Sequence, residues 1–259
     1  MMNNKTQTRE EMKRYWEFHT QDGVSDSAMM LMSDVNDIDS AERKEIMSIL
    51  PSLDSMNVIE LGAGVGRFTG KIAKQCKSLV AVDFIQASID ENAKRHSKLG
   101  NITFQCADAS KLEFRDGSID LVFSNWLMMY LNDHEVRSLA KKTHKWLKPG
   151  GYVFFRESCE GGPSGDVKRS FNPTFYRGLI YYTQLYDKLG FELVLNKMVE
   201  CYDVIKNKTN QYVWLLRKKQ IPSRSLIAGA DSRFRKVKVA VKRNGLGKRG
   251  SKGRMQMKQ

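Results

Sequence analysis

The run V-I-E-L-G-A-G-V-G-R-F-T (58–69) sets an apolar stretch before a G-x-G-x-G turn and a helical pattern after it. Gly62, Gly64 and Gly66 permit tight turning and let a ligand come close to the main chain, although a plain strand-to-helix turn uses the same residues. The turn follows what reads as the first parallel strand, and Asp83 ends the next one. An acid at that point suits the paired hydroxyls of a ribose. Glu60 lies two residues before the first glycine, and Asp108 follows a third strand in C-A-D-A (106–109), where it can accept from an adenine amine.

A nicotinamide dinucleotide would use some of the same features. The glycine spacing, however, is G-x-G-x-G rather than G-x-G-x-x-G. A carboxylate at Glu60 repels a pyrophosphate, whereas it attracts a cofactor that carries an amino group and a sulfonium. Three acids at three successive strand ends favour S-adenosylmethionine.

These residues need a sheet to hold them. Between Asn57 and Trp146 short apolar runs alternate with helical patterns, the signature of βαβ units and a mostly parallel sheet. Strands are predicted at 57–61, 79–83, 102–106 and 119–124, with helices over about 67–74, 87–98 and 133–146 between them. L-K-P-G-G (147–151) reads as a stop and a tight turn before a fifth strand at 152–157. E-G-G-P-S-G-D (160–166) reads as loop, 181–189 as a short helix, and 191–195 and 211–216 as two strands pairing in an antiparallel hairpin at the sheet edge. Residues 9–50 carry two helical stretches, placed to cap the edge where open α/β sheets bind ligands. Three regions follow: a helical cap over 1–50, a catalytic domain over 51–219 and a basic tail over 220–259.

The chain of 259 residues is 41% hydrophobic, enough to build a full core. Its net charge of +14 is uneven: residues 218–259 hold 14 Lys and Arg against one acid, Asp231, and the remainder is nearly neutral. Cys76, Cys106, Cys159 and Cys201 are too widely spaced for a zinc knuckle or a redox pair, so no metal is expected. The start lacks the apolar stretch of a signal peptide, and no apolar run nears the roughly 20 residues of a membrane helix. A soluble, cytoplasmic protein is the expectation. Met29, Met30, Met32, Met128 and Met129 read as core packing rather than a sulfur site.

With these residues in view, the sequence resembles the class I S-adenosylmethionine-dependent methyltransferases, and more narrowly the phosphoethanolamine N-methyltransferases of plants and nematodes. The resemblance runs from about Arg14 to Arg217. Its specific stretches are Y-W-E-F-H (15–19), S-A-M-M-L (27–31), E-L-G-A-G-V-G-R-F-T-G (60–70), V-D-F-I (82–85), S-N-W-L-M-M-Y-L (124–131) and G-G-Y-V-F-F-R-E-S-C (150–159). It implies a Rossmann-like α/β fold with a mostly parallel seven-stranded sheet, an antiparallel C-terminal hairpin and helices on both faces. Cofactor contacts are implied for Gly62, Gly64, Gly66, Arg67, Asp83, Phe84, Asp108, Ala109 and Asn125, beside Glu60. The match F-N-P-T-F-Y-R (171–177) places Tyr176 and Arg177 in a phosphobase pocket, joined by Ser158, Tyr182 and Lys208.

The implied reaction moves a methyl group to the amine of phosphoethanolamine, and to its mono- and dimethyl forms, on the way to phosphocholine. The substrate ammonium must first lose a proton, for which Tyr15, Tyr130 or His19 can serve. Trp16 and Trp126 offer aromatic faces to the growing cation. Plant members and many nematode ones are longer, with a second methyltransferase-like half, so a companion methyltransferase for later methylations is expected. Two rivals stay open: a methyltransferase of another small amine, and an enzyme whose basic tail engages RNA or an anionic lipid surface.

Overall fold

The computed structural model describes residues 9–21, 23–32, 36–162 and 173–220. Phe171, Asn172, most of the 160–166 loop and the basic segment from Ile221 onward lie outside the described residues. Packing gathers the chain up to Ile221 into one compact unit, so the amino-terminal helices group with the sheet.

Seven strands form one sheet: β1 (Asn57–Leu61), β2 (Ser78–Asp83), β3 (Ile102–Cys106), β4 (Ile119–Asn125), β5 (Leu147–Ser158), β6 (Phe191–Met198) and β7 (Gln211–Lys218). Their spatial order is β3-β2-β1-β4-β5-β7-β6. The first five run parallel, and β7 lies antiparallel between β5 and β6. The expected hairpin is present, with β6 rather than β7 at the edge. Side chains alternate between two apolar layers with the period of two that strands impose. Ile59, Leu61, Val122, Val153, Phe155 and Trp214 face one layer; Val58, Leu121, Phe123, Phe154, Val213 and Leu215 face the other.

Helices cover the faces: α1 (Arg9–Thr20), α2 (Asp26–Met30), α3 (Asn36–Ile49), α4 (Thr69–Ala73), α5 (Gln86–Arg95), α6 (Asp133–Trp146), α7 (Leu179–Lys188) and α8 (Glu200–Lys206). The described residues of the amino-terminal region hold three helices rather than two, because Leu31 turns into the left-handed region at φ 51° and ends α2 after one turn. The start of α6 at Asp133 is set by a capping box, with Asn132 and Glu135 satisfying each other's backbone N–H groups. L-K-P-G-G interrupts β5 less than expected. Leu147 already pairs with Ile119, and the turn survives as a shift of register with Gly150 at φ 80°.

Among the described residues no helix is long and apolar enough to cross a membrane, and no group of His, Cys, Asp and Glu is arranged to hold a metal ion. The four cysteines are all unpaired.

Candidate functional site

The parallel strands β1, β2, β3 and β4 end together, and a cleft of about 960 Å3, counted to its open mouth, lies beyond their carboxyl ends. The glycine loop, Asp83 with Phe84, Asp108 with Ala109, and Asn125 with Trp126 supply one wall each; Arg9 and Trp16 of α1 and Met29 of α2 close over the top. The four expected site elements therefore meet because parallel strands in register must end at one edge.

Asp83 is pinned by the main chain. Its Oδ2 accepts from the Gly64 N–H at 2.9 Å and its Oδ1 from the Ile85 N–H at 3.0 Å, and the carboxylate keeps acceptor capacity for a ligand. Burial raises its pKa, and the N–H donors of Ile85, Gly64 and Phe84 act against that. Glu60 is buried behind the loop and accepts from Thr69 Oγ1 at 2.6 Å; burial, opposed by that bond and reinforced by Asp83, pushes its pKa up to about 8. Asn92 ties the loop to this carboxyl, donating from Nδ2 to the Gly64 carbonyl and to Thr69 Oγ1.

Two polar atoms lining the cleft, Asn125 Oδ1 and Ser88 Oγ, are buried without a hydrogen-bond partner in the protein. Buried polar atoms are rarely left so, and their position fits a polar ligand that completes them. The spare acceptors on Asp83, the acid at Glu60 and these orphaned atoms together suit a nucleoside carrying a charged amino arm.

At one end of the cleft the chemistry becomes aromatic. Met12, Tyr15, Met129 and Tyr130 form a small buried cluster with Trp16, Phe84, Trp126 and Tyr176 packed against it. The Tyr15 ring lies 4.5 Å from His19 and 6.4 Å from Tyr130, and Trp16 meets Tyr130 edge-on at 5.1 Å. Trp126 sits at φ 58°, a conformation unusual for a bulky residue. Its amide donates to the Arg156 carbonyl and its indole N–H to Gln211 Oε1.

The matching family model is a methyltransferase domain over residues 58–151. The chain is 47% identical over 223 residues to phosphoethanolamine N-methyltransferase 1 of Triticum aestivum, an alignment covering 81% of this chain and 44% of that protein. It is 34% identical over 227 residues to the Caenorhabditis elegans enzyme of that name, covering 81% and 48%. The structure of Haemonchus contortus phosphoethanolamine N-methyltransferase 1, in complex with phosphoethanolamine and S-adenosylhomocysteine, superposes with a TM-score of 0.75 at 31% identity, covering 86% of this chain and 52% of that one. Over most of its length the chain is similar to the phosphoethanolamine N-methyltransferases. It spans about half the length of the curated relatives it matches.

The fold places Glu60, Gly62, Gly64, Asp83, Phe84, Asp108, Ala109 and Asn125 along the cleft, and gathers Tyr15, Trp16, His19, Trp126, Tyr130 and Tyr176 at the aromatic end. Asp108 faces the cleft with Oδ1 engaged by Ser110 and Oδ2 3.4 Å from Arg9 Nε.

Other expectations need correction. Gly66 does not face the cleft: a Cβ there would come within 2.7 Å of Asn92 Cγ and 2.8 Å of His96 Nε2, so its missing side chain makes room for α5 and the residue after it. Arg67 lines the cleft but is committed to α3, pairing with Glu42 at 2.5 Å and Asp39 at 2.7 Å. Burial lowers its pKa, and those two acids outweigh that and raise it. Arg177 lies behind the cleft wall, bonded to Asp133, Tyr182 and two carbonyls. Tyr182 is wholly buried between Phe155 and Trp214. Ser158 is buried against Gln211, and Lys208 is exposed beyond α8, away from the cleft. Of the methionines, Met30, Met32, Met128 and Met129 are core as expected, while Met29 lines the cleft beside Gly64.

Sequence reasoning missed Arg9, Ser88, Asp39, Glu42 and Glu157. The acids of α3 carried a signal, a spacing of three that puts both on one helix face. Arg9 and Ser88 sit on helices whose docking only the fold reveals.

Proposed function

We propose that this chain transfers a methyl group from S-adenosylmethionine to the amine of phosphoethanolamine. The observation that carries the reading is a cleft with ribose-competent acceptors on Asp83 opening directly onto a cluster of Tyr15, Trp16, Tyr130 and Tyr176. Support also comes from the named relatives and from the nematode structure, whose own ligands are phosphoethanolamine and S-adenosylhomocysteine.

The cofactor, when bound, supplies a methyl carbon made electrophilic by its sulfonium. The residues of this chain do the rest. Asp83 fixes the ribose hydroxyls, Asp108 faces the adenine end, and Asn125 and Glu60 meet the polar amino-acid arm. The proton of the substrate ammonium is assigned to the Tyr15 or Tyr130 hydroxyl, whose rings lie 6.4 Å apart, with His19, 4.5 Å from the Tyr15 ring, as the next acceptor. The nitrogen lone pair then forms its bond to carbon as the carbon–sulfur bond breaks. Rate comes from holding the three atoms in line within a site that α1 shields from water. Trp16 and Trp126 present faces to the cation that forms.

Titration calorimetry tests the pairing of cofactor and substrate. Phosphoethanolamine binds the protein preloaded with S-adenosylhomocysteine, whereas ethanolamine does not. Asp83→Ala weakens cofactor binding by about 100-fold or more, because two charge-assisted bonds are lost. Phosphoethanolamine that fails to bind the loaded wild-type protein removes the substrate, and unchanged cofactor affinity in the Asp83 variant removes the ribose role.

A further inference from the structure

Glu157 is wholly buried at the end of β5, yet no part of the reaction uses it. Consecutive strand residues point to opposite faces, so Arg156 turns toward α3 and Glu157 toward the turn after β4. There Glu157 Oε1 accepts from the N–H groups of Leu127 at 3.1 Å and Met128 at 2.8 Å, and Oε2 accepts from Met129 at 3.1 Å. Three successive amides of one short turn end on a single carboxylate.

The same turn is held from its other polarity. Arg177 is 8% exposed; its Nη1 donates to the Met128 carbonyl at 2.9 Å and its Nη2 to the Leu131 carbonyl at 2.6 Å. Its Nε is fixed by Asp133 at 2.9 Å, at the start of α6. The Phe175 N–H donates to a further carbonyl of this stretch, that of Met129, at 2.7 Å. Tyr130 lies inside the stretch so held, and its own backbone carbonyl accepts from Arg9 of α1.

Resting on the reading above, we propose that Glu157 and Arg177 are positioning residues that grip residues 127–131 from both sides, Glu157 through the N–H groups and Arg177 through the carbonyls, and thereby fix the Tyr130 hydroxyl for proton removal. A 3₁₀ turn of three residues has too few internal bonds to hold a side chain to the tolerance that in-line transfer needs. The two side chains supply what the turn lacks, and their buried setting strengthens each bond. Neither residue touches the cleft, so neither needs to contact substrate.

The test uses the full chain with Glu157→Gln, which keeps volume but exchanges one acceptor oxygen for a donor, and Arg177→Lys as the second variant should the first fail to fold. Amide exchange of Leu127, Met128 and Met129 should quicken by about tenfold in Glu157→Gln while β4 amides keep their protection. On phosphoethanolamine, kcat should fall by about tenfold or more with KM within about threefold. In a Tyr130→Phe background the same Glu157→Gln change should cost less than about twofold, because the residue it positions is already gone. Arg177→Lys should lose less than Arg177→Ala. Full additivity with Tyr130→Phe, or a large rise in KM with kcat unchanged in the Arg177 variants, overturns the assignment. Should the wild type not turn over phosphoethanolamine, that reading fails by itself and exchange decides the grip: unchanged exchange at 127–129 overturns it, and selective loss of protection there supports it.

Discussion

Glu60 shows how one residue can couple the fold to its ligand. Its carboxyl is buried, its pKa pushed up to about 8, and Asp83 stands close enough to add to the effect. The ligand-free protein therefore holds a proton there that the unfolded chain releases above about pH 4.5. The contribution to stability is largest below that value and is lost as pH rises towards about 8. Glu157, with its pKa pushed to about 7 by burial against the bonds from Met128, Met129 and Leu127, acts in the same direction. Denaturant unfolding followed from pH 5 to pH 8.5 should show a midpoint that falls with pH, and Glu60→Gln should flatten that fall. An identical slope in the variant would place the proton elsewhere. A ligand bringing a cation near Glu60 favours the carboxylate and should flatten the slope as well.

At the scale of elements, the strand-to-helix turn at 61–69 depends on how α5 packs beneath it. Gly66 sits at φ 88°, with Asn92 and His96 filling the space a side chain would need. Asn92 cannot step aside without losing its bonds to Gly64 and Thr69, and His96 Nε2 lies 3.0 Å from the Gly66 carbonyl. Gly66→Ala should therefore destabilise the protein by about 2 kcal/mol or more, through strain and displaced packing together. Equilibrium unfolding measures it, and a loss within about 0.5 kcal/mol would contradict the packing described here. The seven strands were legible in the sequence because apolar runs with turn residues between them have few other solutions, and β1 and β3 have the bounds expected of them. Less legible were α2 and α8, of five and seven residues, too short for a helical period to register. The L-K-P-G-G stretch reads as a break in the sequence because a register shift inside a strand uses the same residues as a turn.

At the scale of the molecule, the sequence revealed the strand-end walls of the cleft better than its aromatic end. Strand ends of a parallel sheet bring Glu60, Asp83, Asp108 and Asn125 together whatever the helices do. The aromatic end depends on where α1 docks and on which cations are already spent inside the protein. Arg67, Arg177 and Lys208 look alike in a sequence, but Arg67 is tied to α3, Arg177 bonds the turn after β4, and Lys208 is exposed and does not line the cleft. Buried acids decide such matters, and nothing in a linear pattern tells which acid will meet which arginine. The most direct check on the account is mass-resolved product analysis of the full chain incubated with methyl-labelled S-adenosylmethionine and phosphoethanolamine. The account predicts a labelled N-methyl phosphoethanolamine whose formation is lost with Asp83→Ala. A cofactor that binds tightly but leaves phosphoethanolamine unlabelled would contradict it.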